Sequence, residues 1–597
     1  MAGGGRWPVQ FAAMRAVLDE AIVSHAADEA DDAGRFKLLV GGVLVLAAVL
    51  FFARLGARAL WSSEFRWAEI AREMELTGNY FWPTINGRLY YDKPLLSYWM
   101  VLGTTWLTGS LNEAAARIPC AIAGLLSVTL LMMLARRLYD RRIAPLAGFI
   151  LATSMSFVFF SRHASADVDT IAGELAALLL FVSYREEPDG WWVAALWLIM
   201  AVTSLTKGLL GFVLPITVIG SYSCLCEGWK ELYARISTGS FGQRLGWLIA
   251  RNRWFFNWRS VPAIALAGLV YAVPFAISFI RMRSDAGLYM VYRENILRFF
   301  EPFDHRGPVY LYVYVIFALM APWSALLPAA LAQAHRPRSA QQAQADRFAL
   351  VYFWATFAFF TLSGSRRSYY ILPILPAAAL LIARLLLERS EYISIAARAL
   401  LKLGYFAMVA ILLAGAVLLL PTSMRPAHWD IYPPTPERAV FGAFWILSIV
   451  SVAYALRNFR PASIALSVAT VAYLSMMYLY VFAMPATEAY RGEAAFGRQI
   501  KQELHDDIRS LAFFHTQGPL FYMNPPKPVP EYDDPTALKA AVGNDGIRWV
   551  VVRRRDVPML GLPVTTVAAE ASFPWENERD SRNKLVLLRI ESDAKGG

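Results

Sequence analysis

The sequence predicts an α-helical protein that crosses a membrane many times and ends in a small α/β domain. Of the 597 residues, 57% are hydrophobic and only 17% are charged, whereas soluble domains carry about 25% charged residues. Apolar runs long enough to span a bilayer, about 20 residues each, recur through residues 37–483. Beyond this segment the runs become short and alternate, so residues 484–597 are expected to fold separately.

Thirteen segments are predicted to cross the membrane. They are 37–57, 114–135, 143–161, 169–184, 191–206, 208–226, 261–280, 309–331, 348–363, 368–387, 399–420, 438–456 and 461–483. A further apolar segment, 94–109, begins with Pro and is diluted by Ser, Thr and Gly. Apolar runs this short are more often interfacial or buried than spanning, so we expect it not to cross.

Charge bias orients the bundle. If 94–109 does not cross, the Arg-containing stretches fall on the side of the N-terminal segment 1–36, which is cytoplasmic by the positive-inside rule. These stretches are 135–142, 227–260, 335–338 and 457–460. Loop 281–308 departs from the rule with five Arg on the outer side. We interpret these outer arginines as functional.

The same orientation brings the conspicuous polar loops to the outer face, which in a bacterial inner membrane is the periplasmic face. They are the periplasmic loop 58–113 and the stretches 162–169, 205–208, 281–308 and 363–368. Charge beside lipid is costly, so such residues are candidates for function.

The outer segment 484–597 has the pattern of a soluble α/β domain. Residues 494–506 have helical periodicity, and "IRWVVVRR" and "KLVLLRI" are β-like runs. The three cysteines give neither a disulfide framework nor zinc spacing. A divalent cation stays open, because no ligand cluster with defined spacing supports one. A nucleic-acid partner is excluded, because the net charge of +11 forms no basic face on a soluble module.

Two acids stand out as candidates for catalysis, Glu64 in "SSEFRWAEIAREM" and Asp167 in "SADVDT". Each begins a predicted helix, so helix capping is the competing interpretation. The following charges Glu69, Arg72 and Glu73 are more readily interpreted as the solvated face of an amphipathic helix.

The cations of the outer loops suit an anionic lipid phosphate. They are Lys93, Lys207, Arg298, His305 and Arg366. A lone Lys such as Lys93 would otherwise be an interfacial anchor. Arg66, Tyr91 and Asp92 are further candidates for substrate contact.

Five stretches together resemble the GT-C class of polyprenyl-phosphate-sugar-dependent glycosyltransferases, in particular the lipid A aminoarabinose transferases and the bacterial protein-mannosyltransferase-like enzymes. They lie within residues 62–377 in the order found in that family. They are "SEFRWAEIAREM…GNYFWPTINGRLYYDKPLLSYW", "SRHASADVDT", "SLTKGLLGFVLP", "ENILRFFEPFDHRGPVYLYVYVIFALMAPW" and "SGSRRSYYILPILPA".

The resemblance implies a GT-C fold of thirteen spans and an outer C-terminal domain. It also implies an inverting enzyme that moves a sugar from undecaprenyl phosphate to a lipid, glycan or protein. Lys93, Lys207 and His305 match donor-side positions of the family, and Arg366 stands where Lys is common. Glu64 and Asp167 match its acids, but Ser63 stands where the family has the Asp usually credited with catalysis.

Two other functions compete with this interpretation. A lipid or sugar flippase would show inverted repeats and charges near the midplane of the membrane, and the sequence shows neither. A non-catalytic family member is suggested by Ser63. The identities of the sugar and of the acceptor are not readable from the sequence.

Overall fold

A computed structural model describes most of the chain. The described residues are 33–61, 63–187, 190–226, 228–253, 255, 258–414, 436–457, 460–486, 488, 492–505, 507–571 and 578–591. The N-terminal segment 1–36, predicted to be cytoplasmic, therefore lies almost entirely outside the described residues. The end of the predicted span 399–420 and the middle of the stretch 457–460 also lie outside them.

The first half of the chain is almost wholly helical. Its helices are α1 (Ala33–Phe52), α2 (Glu64–Thr77), α3 (Leu96–Thr108), α4 (Glu113–Leu138), α5 (Ile143–Ala152), α6 (Met155–Ser161), α7 (Asp167–Tyr184), α8 (Trp192–Lys207), α9 (Leu210–Leu225), α10 (Trp229–Thr238), α11 (Phe241–Arg251), α12 (Ser260–Met282) and α13 (Ala286–Val291). A two-stranded hairpin, β1 (Thr84–Ile85) and β2 (Arg88–Leu89), lies between α2 and α3.

The bundle continues to residue 486. A π-helical segment (Tyr292–Leu297) leads into α14 (Arg298–Phe300), α15 (Leu311–Leu319), a 3-10 turn (Trp323–Leu326), α16 (Leu327–Gln333), α17 (Ala340–Leu362), a 3-10 segment (Ser368–Ile374), α18 (Leu375–Leu386), a 3-10 turn (Ser390–Tyr392), α19 (Ile395–Ala414), α20 (Pro436–Arg457), α21 (Pro461–Met477), a second π-helical segment (Tyr478–Ala483) and α22 (Met484–Ala486).

Within the described residues, every predicted span coincides largely with helix, and seven helices are long and apolar enough to cross a membrane. A polytopic helical membrane fold is therefore confirmed in outline. Several of the other predicted spans are shorter or interrupted. The segment 143–161, for example, consists of α5 and α6, which meet at a bend of 69°. The count of thirteen stays a prediction.

The segment 94–109 contains α3, a helix of 13 residues. At 1.5 Å per residue this helix is about 20 Å long, shorter than the roughly 30 Å of hydrocarbon in a bilayer. Its length fits the expectation that the segment does not cross. Helices α2 and α3 pack against each other, and we call them the α2–α3 layer.

The C-terminal part contains a five-stranded sheet in the order β4-β3-β5-β7-β6. Strands β4, β3 and β5 are parallel, whereas β7 runs antiparallel to both β5 and β6. Its elements are α23 (Gly492–Leu504), a 3-10 turn (Asp507–Ser510), β3 (Leu511–Phe514), α24 (Leu520–Met523), β4 (Glu531–Tyr532), α25 (Pro535–Asn544), β5 (Trp549–Arg553), a 3-10 turn (Arg554–Asp556), α26 (Val557–Leu560), β6 (Val564–Ala569), α27 (Glu578–Arg582) and β7 (Leu585–Ile590).

This sheet packs on the α2–α3 layer. One hydrophobic cluster joins Trp67 and Ile70 of α2 to Phe513 of β3 and Val551 of β5. The backbone amide of Leu60 also donates to the Tyr522 hydroxyl (2.6 Å). The loop 58–113 is therefore held between the bundle and the sheet.

The packing corrects one expectation about α2. Glu69 and Glu73 are 0% and 5% exposed, so they do not form a solvated face. Arg72 donates to both oxygens of Glu69, and its Nη1 reaches the carbonyl of Pro525 in the C-terminal part. A face that looks polar in the sequence is covered because another part of the chain packs over it.

Candidate active site

Glu64 begins α2 and is 2% exposed. Arg117 of α4 donates two hydrogen bonds to its carboxylate, from Nε to Oε1 (2.7 Å) and from Nη2 to Oε2 (2.8 Å). The backbone amides of Ala164 and Trp61 add one bond to each oxygen (3.0 Å each). Neither oxygen accepts from the first turn of α2, so Glu64 does not act as a helix cap.

These bonds hold Glu64 ionised. Burial alone would raise the pKa of Glu64, but His163, Arg117 and the Ala164 amide outweigh it and lower that pKa to about 2. The remaining N–H groups of Arg117 donate hydrogen bonds to the carbonyls of Leu55, Arg58 and Ala59. The pair therefore ties α4 to the chain segment that precedes α2.

His163 lies against the same carboxylate. Its Nδ1 is 3.4 Å from Glu64 Oε1, and its Nε2 is 3.3 Å from the Ser63 hydroxyl. The imidazole stacks on Phe159 with the ring centroids 5.1 Å apart. Burial lowers the pKa of His163. A neutral imidazole is therefore fixed between a serine and an ionised glutamate.

Asp167, at the start of α7, is ion-paired with Lys207 at the end of α8. The ammonium of Lys207 also lies 5.6 Å from the ring centroid of Tyr370. Asn295, from the π-helical segment, accepts a hydrogen bond from the amide of Leu209 (2.8 Å). The turn after Lys207 is thus attached to the loop 281–308, which carries Arg298 and His305.

Lys93 and Arg298 meet on Glu294, which the sequence analysis did not single out. The Lys93 ammonium lies 3.1 Å from Asp92 and 3.6 Å from Glu294 Oε2. Arg298 Nη1 contacts the same oxygen of Glu294 at 2.7 Å. Two cations from distant parts of the chain are therefore brought together by one acid.

The network extends to His305. Arg298 Nη2 donates to Asp304 (2.9 Å), and His305 Nε2 lies 3.1 Å from the same oxygen. His305 has φ +55°, a left-handed backbone conformation that is uncommon for a non-glycine residue. The structure thus places the predicted donor-side residues Lys93, Arg298 and His305 in one network of contacts around Glu294 and Asp304.

The pKa values in this network move in opposite directions. Burial would raise the pKa of Asp92, but Lys93 beside it produces a net decrease. Burial raises the pKa of Glu294 despite its cationic neighbours. Burial and Arg367 lower the pKa of His305. Arg298 therefore contacts one buried acid, Glu294, and one partly exposed acid, Asp304.

Three other predicted residues, Arg366, Tyr91 and Arg66, have partners of their own. Arg366 donates to the carbonyls of Thr361 and Gly307, and its amide donates to the His305 carbonyl. It therefore supports the His305 loop. Tyr91 packs against Trp82 and Phe275 and is 8% exposed. Arg66 lies over the ring of Tyr90, with its guanidinium carbon 5.5 Å from the centroid.

A cavity of about 30 Å³ adjoins Glu64 and His163. Its wall is rich in arginine, and the lining residues are Arg54, Leu55, Arg58, Trp61, Glu64, Arg117, Phe159, Arg162, His163 and Tyr480. Within the described part of the chain, no three His, Cys, Asp or Glu side chains converge as metal ligands would.

Sequence reasoning missed Arg117, His163, Glu294 and Asn295. Arg117 had a readable signal, since it is a charge inside an apolar span, which marks a functional or paired residue. His163 stands in "SRHASADVDT", beside a candidate acid. Glu294 contacts Lys93 and Asn295 contacts Leu209, and both partners are more than 80 residues away in sequence. Only the fold reveals these contacts.

Comparisons with known proteins agree with this architecture. Residues 92–236 match the family model described as dolichyl-phosphate-mannose-protein mannosyltransferase. The undecaprenyl phosphate-alpha-4-amino-4-deoxy-L-arabinose arabinosyl transferase of Erwinia tasmaniensis is 29% identical over 345 residues. That match covers 56% of this chain and 57% of the relative's length. The corresponding transferase of Pseudomonas aeruginosa strain UCBPP-PA14 is 28% identical, covering 68% of each chain.

The fold has a counterpart among solved structures. The crystal structure of ArnT from Cupriavidus metallidurans bound to undecaprenyl phosphate superposes with a TM-score of 0.66 at 20% identity, covering 94% of this chain and 99% of that one. Identity this low establishes the shared fold alone. In sequence and in fold, the chain resembles the polyprenyl-phosphate-sugar-dependent glycosyltransferases of the GT-C class.

Proposed function

We propose that this protein is an inverting glycosyltransferase that takes a sugar from undecaprenyl phosphate at the outer face of a bacterial inner membrane. The observation that carries the proposal is the convergence of Lys93, Arg298 and His305 on shared acids. These side chains come from two loops that are about 200 residues apart in sequence, and no single loop could assemble the cluster. The similarity to undecaprenyl phosphate-dependent transferases supports it.

The donor phosphate would replace the acids that now share these cations. Charge-assisted hydrogen bonds from Lys, Arg and His⁺ are the contacts that suit a phosphate. The same contacts stabilise the negative charge that grows on the phosphate as the sugar leaves. Side-chain exposures of 18% for Lys93 and 17% for Arg298 fit groups that are desolvated but still reachable. Lys207, beside Tyr370, lies ready to contact the sugar or the phosphate.

The two candidate acids take different roles in this proposal. Each Glu64 oxygen already accepts one Arg117 N–H and one backbone amide, so little capacity is left for a substrate hydroxyl. Glu64 therefore organises the site as a fixed negative charge. Asp167, held by Lys207, orients the acceptor, which is a lipid, a glycan or a protein hydroxyl.

A release assay tests the proposal. Purified full-length protein in nanodiscs made from the total lipid of a deletion strain receives undecaprenyl phosphate-linked 4-amino-4-deoxy-L-arabinose, and the release of undecaprenyl phosphate is followed by mass spectrometry. We expect time-dependent release together with a mass increase of one lipid or glycan species. A protein that binds this donor without releasing the carrier would contradict transfer of this sugar, and a panel of other undecaprenyl phosphate sugars then tests transfer in general.

A further inference from the structure

We propose that His163 is the proton acceptor of the transfer reaction and that it acts through the Ser63 hydroxyl. This inference rests on the proposed function and deepens it, because neither residue was assigned a chemical role by the sequence. It is carried by one arrangement, Ser63 Oγ to His163 Nε2 at 3.3 Å and His163 Nδ1 to Glu64 Oε1 at 3.4 Å. A hydroxyl, an imidazole and a carboxylate in this order form an activated hydroxyl–base–orienter constellation.

The surroundings favour one tautomer of the imidazole. Glu64 is held as a carboxylate by Arg117 and accepts only, so its negative charge favours the tautomer whose hydrogen is on Nδ1, 3.4 Å from Glu64 Oε1. The other nitrogen then presents a lone pair to Ser63. Phe159 stacks on the ring and Phe160 meets it edge-on, with centroids 5.1 Å and 6.0 Å away, so the ring cannot turn freely.

Access to the site is asymmetric. His163 is 7% exposed, whereas Ser63 is half-buried at the N-terminal end of α2. A substrate hydroxyl therefore reaches Ser63 before it reaches the imidazole. The cavity that His163 lines is rich in arginine and leaves room for about two waters.

The charges around His163 favour its neutral form at rest. The groups that act on it are Glu64, Arg117, Asp167 and Arg58. Burial and the two arginines lower its pKa, while the two acids raise it, and the net effect is a decrease. A base must be unprotonated at the start of the reaction, and this environment meets that condition at neutral pH.

The acceptor O–H bond breaks as its proton moves to Ser63 Oγ, and the Ser63 proton moves to His163 Nε2. The electron pair of the acceptor oxygen forms the new bond to the anomeric carbon of the sugar. The bond from that carbon to the phosphate oxygen breaks, and its electron pair leaves with undecaprenyl phosphate. The imidazolium is neutralised by Glu64 until its proton passes to solvent.

The test compares His163→Gln with the double variant Ser63→Asp/His163→Gln. The Gln variant should release the carrier about 10²–10⁴-fold more slowly than the unaltered protein, with unchanged donor affinity. An Asp at position 63 places a carboxylate where the hydroxyl stood, so it should accept the proton directly. The double variant should then release the carrier at least about tenfold faster than His163→Gln. His515→Gln, an exposed histidine on the C-terminal sheet, is the matched control and should leave turnover unchanged.

The pH profile separates chemistry from structure. In the unaltered protein, kcat/KM should fall as pH drops through the lowered pKa of His163, because the imidazolium cannot accept a proton. In the double variant this fall should move to lower pH, where carboxylates titrate. A folded His163→Gln variant with unaltered turnover and pH profile overturns the proposal, and so does a donor-binding double variant that recovers nothing. Absence of carrier release from the unaltered protein with every donor would refute the proposed function itself.

Discussion

Two charged clusters include residues of the loop 58–113, and they differ in how completely their charges are paired within the protein. In the first, Glu64 and Arg117 have side chains 3% and 5% exposed, and the carboxylate is satisfied by protein donors. In the second, Lys93, Arg298 and His305 have side chains 17–27% exposed and share the acids Glu294 and Asp304. A buried ion pair whose hydrogen-bonding groups are all used fixes the local structure. Partly exposed side chains that share their acids can instead exchange an acid for a ligand.

The largest expected effect follows from removing the partner in the saturated cluster. Arg117→Gln leaves Glu64 as an uncompensated buried charge, which costs about 3–5 kcal/mol of stability. Thermal and denaturant unfolding of the full-length protein measure the loss. Adding Glu64→Gln should recover part of it, because the orphaned charge is removed.

The matched control is Arg582→Gln, which breaks an ion pair with Glu578 whose side chains are 65% and 79% exposed. Exposed pairs contribute about 0–1 kcal/mol, so this change should be nearly silent. If Arg117→Gln costs no more than Arg582→Gln, the contrast between a structural and a binding cluster fails.

The open cluster should respond in affinity rather than in stability. Lys93→Ala removes a charge-assisted contact to phosphate, worth about 1.5–3 kcal/mol, or roughly 10–150-fold in donor affinity. Binding of undecaprenyl phosphate by native mass spectrometry measures it, and the melting temperature should change little. Lys501→Ala, an exposed lysine on α23, is the control. Unchanged donor binding in Lys93→Ala would show that Lys93 is only an interfacial anchor.

The smallest perturbation tests whether the two clusters face the same side of the membrane. In a background with the three native cysteines replaced by Ala, Ser110→Cys after α3 and Asn79→Cys after α2 should both react with an impermeant thiol reagent from outside. Arg137→Cys, at the far end of α4, should react only after the membrane is opened. Labelling of Ser110→Cys from the cytoplasm alone would mean that α3 crosses, which would invert the orientation of every later helix.

The difference between the clusters also shows how far the sequence could lead. Lys93 and His305 were predicted to belong together because both are charges near apolar segments, and this reasoning needs only hydropathy and topology. Glu64 was predicted as a base or a cap, and its bonds to Arg117 show a third arrangement. Both predicted roles are inferred from the residues next to Glu64 in the chain. Its partner Arg117 is 53 residues away, so the neighbouring sequence does not reveal it.

The sequence by itself determined that the chain is a helical membrane bundle with an α/β part after residue 483. Polar groups are costly in lipid, so membrane-spanning segments must be apolar and helical, and this requirement is visible in the local composition. It also determined which loops carry the unusual charges. Only the tertiary structure decided which charges neutralise one another, that Glu69 and Glu73 are buried under the C-terminal sheet, and that His163 stands between Ser63 and Glu64. Pairing depends on distances of a few ångströms between residues far apart in the chain, and hydropathy carries no information about such distances.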